Sequence, residues 1–138
     1  MGNSTTFLTV PAAQLLGTQV VYAEREIDFT KETVASGGTI DVLNLPKGAV
    51  VLSAGWITKT VNTGTLGSKA ALGLGTATLA ILAAAVLGDA NAMVRGNLTS
   101  SVVLTADDTL RLTASVSALD KAKIVVFCEY IVSDACRN

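Results

Sequence analysis

Apolar and polar residues alternate without a break from Thr109 to Ser117: Leu110, Leu112, Ala114 and Val116 fall on one side, Thr109, Arg111, Thr113, Ser115 and Ser117 on the other. A period of two is that of a β-strand with one face on a core and one toward water. The turn formers ADD and SALDK bound it. Three earlier runs, TQVVYAEREIDFT, TIDVLNL and AVVLSAGWITKTV, are rich in β-branched residues and are bounded by ASGG, LPKG and NTGTLG, so three strands are expected before residue 64. The closing run AKIVVFCEYIVS sets Ile124, Val126, Cys128, Tyr130 and Val132 on one face, with Val125, Phe127 and Ile131 on the other, where only Glu129 interrupts. A strand apolar on both faces is covered on both, and another subunit is expected to supply part of the outer cover. Short strands separated by Gly, Pro, Asn and Asp, with no regular alternation with helices, predict an all-β, antiparallel β-sandwich.

The stretch between Lys69 and Asp89 breaks this rhythm, because its nineteen residues carry no charge. Its alanines, threonines and glycines dilute the leucines too far for a membrane span, and no basic cluster or aromatic belt flanks it. Gly73-Leu-Gly75 lacks the third small residue of a dinucleotide fingerprint, since position 78 is Thr78. The remaining reading divides the stretch. Residues 69–75 form a short strand and residues 76–87 turn helical, which places one short helix near residues 77–87. Thr76 or Thr78 caps it, Leu79, Leu82 and Val86 form its apolar stripe, and Gly88 ends it in a left-handed conformation. Residues 1–17 show no period and read as an extended N-terminal arm, leading into a single sandwich domain over residues 18–138.

Composition sharpens this picture. Half of the 138 residues are hydrophobic and only 15% are charged, against about 25% in an ordinary soluble domain, so much of the surface is expected to be covered in an assembly. A net charge of −1 with no basic cluster argues against nucleic acid as a partner. Cys128 and Cys136 are the only cysteines and read as free, reduced thiols. The N-terminus lacks the basic region and long apolar core of a signal peptide, so folding in a cytoplasm is expected.

The chain contains no histidine, which removes the commonest general base, the usual serine triads and most catalytic zinc sites. Glu24, Glu26 and Asp28 alternate on one strand face and read as solvated, although an enzyme would have to draw its carboxylates from this group. Asp107 and Asp108 read as turn residues, without the further oxygen ligands that calcium needs. Trp56, the single tryptophan, reads as core. No catalytic residue, cofactor site or metal site is assigned.

With the strands placed, IDVLNLPKGAVVLSAGWITKT, AALGLGTATLAILAAA and TADDTLRLTASVSALDKAKIVVFCEYIV together resemble the tailed-bacteriophage capsid decoration (cement) proteins, over residues 39–132. The resemblance implies a jelly-roll-like sandwich, commonly a homotrimer, seated on the capsid exterior where capsomers meet. It further implies the major capsid protein as partner, assembly in the host cytoplasm, and no enzymatic, membrane or cofactor role. Relatives often carry an Asp-rich loop after the GxG strand, where this chain has ATLAILAAAV. The competing reading is a small tail, fibre or receptor-binding module that recognises a host glycan, with Trp56, Tyr22 and Tyr130 as stacking candidates. An aromatic content of 4% weighs against it.

Overall fold

The computed structural model describes residues 20–62, 68–75, 80–97 and 103–132. The expected arm at residues 1–17, the capping threonines 76 and 78, Leu79 and Cys136 lie outside them. Eight strands follow in order: β1 (Val20–Asp28), β2 (Thr39–Leu45), β3 (Ala49–Thr60), β4 (Lys69–Leu74), β5 (Ala80–Val86), β6 (Met93–Asn97), β7 (Asp108–Ser115) and β8 (Lys123–Val132). They make two antiparallel four-stranded sheets, ordered β1-β8-β3-β6 and β2-β7-β4-β5. The partners are nested: β1 lies with β8, β2 with β7, β3 with β6 and β4 with β5. The expected antiparallel β-sandwich is present.

One apolar core fills the space between the sheets. Trp56, Ile124, Val126 and Cys128 enter it from the first sheet, and Leu72, Leu110, Leu112 and Ala114 from the second. The alternation read in β7 is realised, since Leu110, Leu112 and Ala114 are each 0% exposed. It stops two residues sooner than expected, at Ser115, because Val116 leaves the strand with a φ of 72° and is 64% exposed. There the chain turns into the loop that Leu119 ties to Val34 by a pair of backbone hydrogen bonds.

The helix expected near residues 77–87 is not found in residues 80–87, which include β5, paired with β4 from Lys69↔Val86 to Gly73↔Ala80. Alanine favours a helix by only a few tenths of a kcal/mol over its neighbours in the ranking, and a helix of about a dozen residues is marginal by itself. The open edge of β4 offers hydrogen bonds to residues 80–86 instead. Pairing is irregular, with two register shifts that leave Ala83 and Ala84 exposed, whereas Ile81 and Leu87 reach the core. Gly88 does adopt a positive φ, of 89°, but to leave a strand rather than to end a helix. Among the described residues no helix is long and apolar enough to cross a membrane.

The sandwich closes differently along its two open sides. On one, β5 and β6 come so close that a Cβ on Gly96 would stand 2.8 Å from the Ile81 carbonyl oxygen. On the other, Arg25 of β1 spans the gap to β2, donating from Nη1 to the carbonyls of Asp41 (3.1 Å) and Val42 (3.5 Å). These carbonyls lie at the bulge of β2, between Asp41 and Leu43. Glu32 holds the same guanidinium through two contacts, at 2.9 and 3.1 Å. A side chain therefore occupies an edge that would otherwise present unpaired backbone.

Candidate functional site

The register of the first sheet fixes which side chains share its outer face. Across β1, β8 and β3 runs the row Tyr22–Glu129–Ser53, and across all four strands run Glu24–Phe127–Gly55–Arg95 and Glu26–Val125–Ile57–Met93. Phe127, on the apolar outer face of β8, is only 3% exposed. Tyr22 stacks on it with ring centroids 6.0 Å apart, and the Phe127 ring in turn lies against Gly55, where an added Cβ would meet it at 3.0 Å. Part of the cover expected from another subunit thus comes from the chain itself.

The acids of this face all have partners. Glu26 receives Lys123 of the neighbouring β8 at 3.8 Å and Lys59 of β3, one strand further, at 3.2 Å. Glu129 receives Arg95 at 2.9 Å and the Ser53 hydroxyl at 3.2 Å. Glu24 accepts from the Tyr22 phenol at 3.1 Å. Asp28 accepts from the amide and hydroxyl of Thr30, bonds that hold its carboxyl below the usual carboxylate range. Glu24, Glu26 and Asp28 do share one face as the sequence implies, but cross-strand lysines answer Glu26, and no spacing along the chain reveals that. Exposed ion pairs of this kind contribute roughly 0–1 kcal/mol each; they position the strands.

The outer face of the second sheet is smoother. Thr39, Thr113, Ala71 and Gly73 line a shallow cleft of about 320 Å³, with Arg111 at its side. Arg111 Nε donates to Asp41 Oδ1 at 2.8 Å, and Thr109 Oγ1 to the same oxygen at 3.3 Å. The Arg111 hydrogen bond lowers the Asp41 carboxyl from its ordinary value. This leaves few charges on a surface of small residues.

A wider cleft of about 530 Å³ lies at one end of the sandwich, lined by Asn44, Leu45, Pro46, Asp107, Asp108 and Thr109. Asp107 Oδ1 accepts the Lys47 amide at 2.9 Å, which pins the β2–β3 turn. Asp108 is 8% exposed, and its Oδ1 accepts the Thr109 amide at 2.7 Å. Asp107 holds a turn, as its sequence context predicts, whereas Asp108 is the first residue of β7 rather than a turn residue. No group of three or more acidic or thiol side chains suited to a metal occurs among the described residues.

The glycan-stacking candidates do not converge. Trp56 is 0% exposed, while Tyr22 is on the outer face and Tyr130 packs on the core. Two organising residues lie beyond sequence reasoning: Arg25 at the edge, and Asn62. Asn62 donates to Ser68 and to the Ala118 carbonyl, and accepts the amides of Asp120 and Lys121. A lone Arg in a strand or an Asn before a turn has no pattern that announces such a role.

Comparison with known proteins bears on the fold. No family model matches the chain, and no curated protein matches its sequence. Among solved structures, a chain of the cyanophage Pam1 capsid asymmetric unit superposes with a TM-score of 0.63 at 20% identity, covering 84% of this chain and 86% of that one. A chain of the capsid of Ralstonia phage GP4 gives 0.63 at 17% identity, over 83% and 85%. One from the acid-stable capsid of Helicobacter pylori bacteriophage KHP30 gives 0.50 at 15%, over 82% and 87%. At these identities the likeness is one of fold.

Proposed function

We propose that the chain is a structural, non-enzymatic virion protein that decorates and stabilises the exterior of an icosahedral phage capsid as a homotrimer, with the major capsid protein as its partner. The observation that carries this reading is the nested order β1-β8-β3-β6 and β2-β7-β4-β5, which supports a jelly-roll-like sandwich, an architecture used by viral capsid domains. Fold likeness to chains from three phage capsids supports it. So do the outer-face acids Glu26, Glu129 and Asp41, each paired with a base, which lowers the cost of covering them. Residues 1–17 act as an arm that adds to capsid attachment.

Jelly rolls also serve as lectin domains, but burial of Trp56 removes the strongest sugar-stacking candidate. Native mass measurement and co-sedimentation with phage heads lacking the protein test the proposal. A trimeric mass and saturable binding are expected. A stable monomer with no affinity for heads would sink it.

A further inference from the structure

Exposed apolar side chains gather at one end of the first sheet, where β1 begins and β8 ends. The register aligns Val20, Ile131, Val50 and Val103 in one row across four chain segments. Leu52, the additional residue of the β3 bulge, and Tyr22 stand beside it. Val20 is 52% exposed, Tyr22 53%, Leu52 40% and Val103 40%. The other large apolar side chains open to solvent among the described residues are scattered. Val21 points to the opposite face of β1, Val86 and Met93 stand at the ends of β5 and β6, and Val116 lies just past β7.

We infer that this row is where three copies of the chain meet about the axis of the homotrimer, with Leu52 of each copy facing Leu52 of the others. The inference rests on the trimer proposed above and adds the surface that forms it. Two properties select further copies of the chain as the occupant. The first is charge. In a threefold ring most contacts join unlike surfaces, but side chains beside the axis meet their own counterparts. A surface placed there cannot answer a charge with an opposite one, so it has to carry none. Val20, Leu52, Val103 and Ile131 carry none. The adjoining row holds one acid, Glu129, already paired with Arg95 of the same chain at 2.9 Å and hydrogen-bonded by Ser53 at 3.2 Å. An apolar centre with a satisfied polar rim is the anatomy of a subunit interface. The second property is area. The patch by itself amounts to on the order of a few hundred Å², short of the ~800 Å² per partner that a stable two-body contact buries. At a threefold axis each copy packs against two others, so a small patch is covered from two sides while the flanking rows supply the remaining contact.

Thiol crosslinking of the full chain, without any capsid, tests this. Leu52→Cys is placed in a Cys136→Ser background; Cys128 stays, being fully buried. A short bismaleimide is expected to join two chains and leave the third, so that crosslinked dimer rises to a ceiling of about two-thirds of the chains, because a threefold set of thiols is odd. Ala83→Cys, on the opposite sheet, is expected to give no dimer. In parallel, Leu52→Asp is expected to lower the native mass threefold while circular dichroism stays that of the parent, and Val86→Asp, at an exposed site away from the row, is expected to keep the parent mass. A trimeric parent whose Leu52→Cys form gives no dimer, or converts wholly to dimer, overturns the inference and leaves the trimer standing. So does a Leu52→Asp protein that stays trimeric but no longer sediments with phage heads, which would give the patch to the capsid protein. A parent of monomer mass overturns the trimer and the inference together.

Discussion

The Trp56 indole donates to the Leu87 carbonyl at 3.1 Å, linking the centre of the first sheet to the end of β5 in the second. Thr58 Oγ1 donates to the same oxygen at 2.6 Å. Two buried donors on one face of β3 thus satisfy a single carbonyl, and they hold the 80–87 segment where its leucine enters the core.

Removing either donor is expected to destabilise the fold. Thr58→Val should cost about 1 kcal/mol, the usual net value of one hydrogen bond. Trp56→Phe should cost more, through both the bond and the volume left in the core. Because the donors share one acceptor, the double variant should depart from additivity. Urea unfolding of the four proteins measures this; strict additivity would show the two bonds to be independent.

Arg25→Met is expected to leave the carbonyls of Asp41 and Val42 to water while preserving the aliphatic stem. Because the site is partly exposed, the stability loss should be about 1 kcal/mol or less. Aggregation is the more sensitive readout, since the variant bares the edge that the arginine occupies. Light scattering during incubation near the unfolding midpoint should rise sooner for Arg25→Met than for Lys31→Met, an exposed charge removed from a loop.

Val116 is a β-branched residue at positive φ, a conformation that costs of order 1–3 kcal/mol. Asparagine tolerates that region far better. Val116→Asn should therefore raise the thermal midpoint by a few degrees, about what 1 kcal/mol gives for a domain this size. A lower midpoint would mean that the exposed valine makes a contact worth more than its strain.

Burial pushes the Cys128 thiol up to about 12, with a smaller contribution from the Glu129 charge. The native thiol stays protonated, so alkylation at pH 8 should proceed only through opening of the sandwich. The sign of the linkage follows. With the folded value above the unfolded one, this contribution to stability is complete below about 8.5 and is lost as pH rises toward 12. Cys128→Ala should flatten that alkaline decline, as followed by urea midpoints between pH 8 and 10.5.

Asp41 has the opposite sign. Its hydrogen bond from Arg111 lowers the carboxyl, so the contribution is present above the unfolded value of about 3.9 and disappears as pH falls through the folded one. Asp41→Asn should be slightly less stable than the parent at pH 7 and equal to it at pH 2. Exposure of the pair keeps the difference small.

The residues already determine much of this protein. Period-two patterns place β2 over residues 39–45, β3 from Ala49 and β4 from Lys69, and they assign Leu110, Leu112 and Ala114 to the interior. This succeeds because side-chain alternation is local, and one solvated face imposes it on each strand. Tertiary structure decided the rest. Residues 80–86 have a composition that suits a helix, yet they become a strand because the β4 edge supplies hydrogen bonds that no local window contains. Lys59 and Lys123 meet Glu26 across 33 and 97 residues of chain, and Arg25 finds its carbonyls at a bulge sixteen residues away. Such contacts depend on which strands become neighbours, a property of the whole sheet order and of no single stretch of sequence.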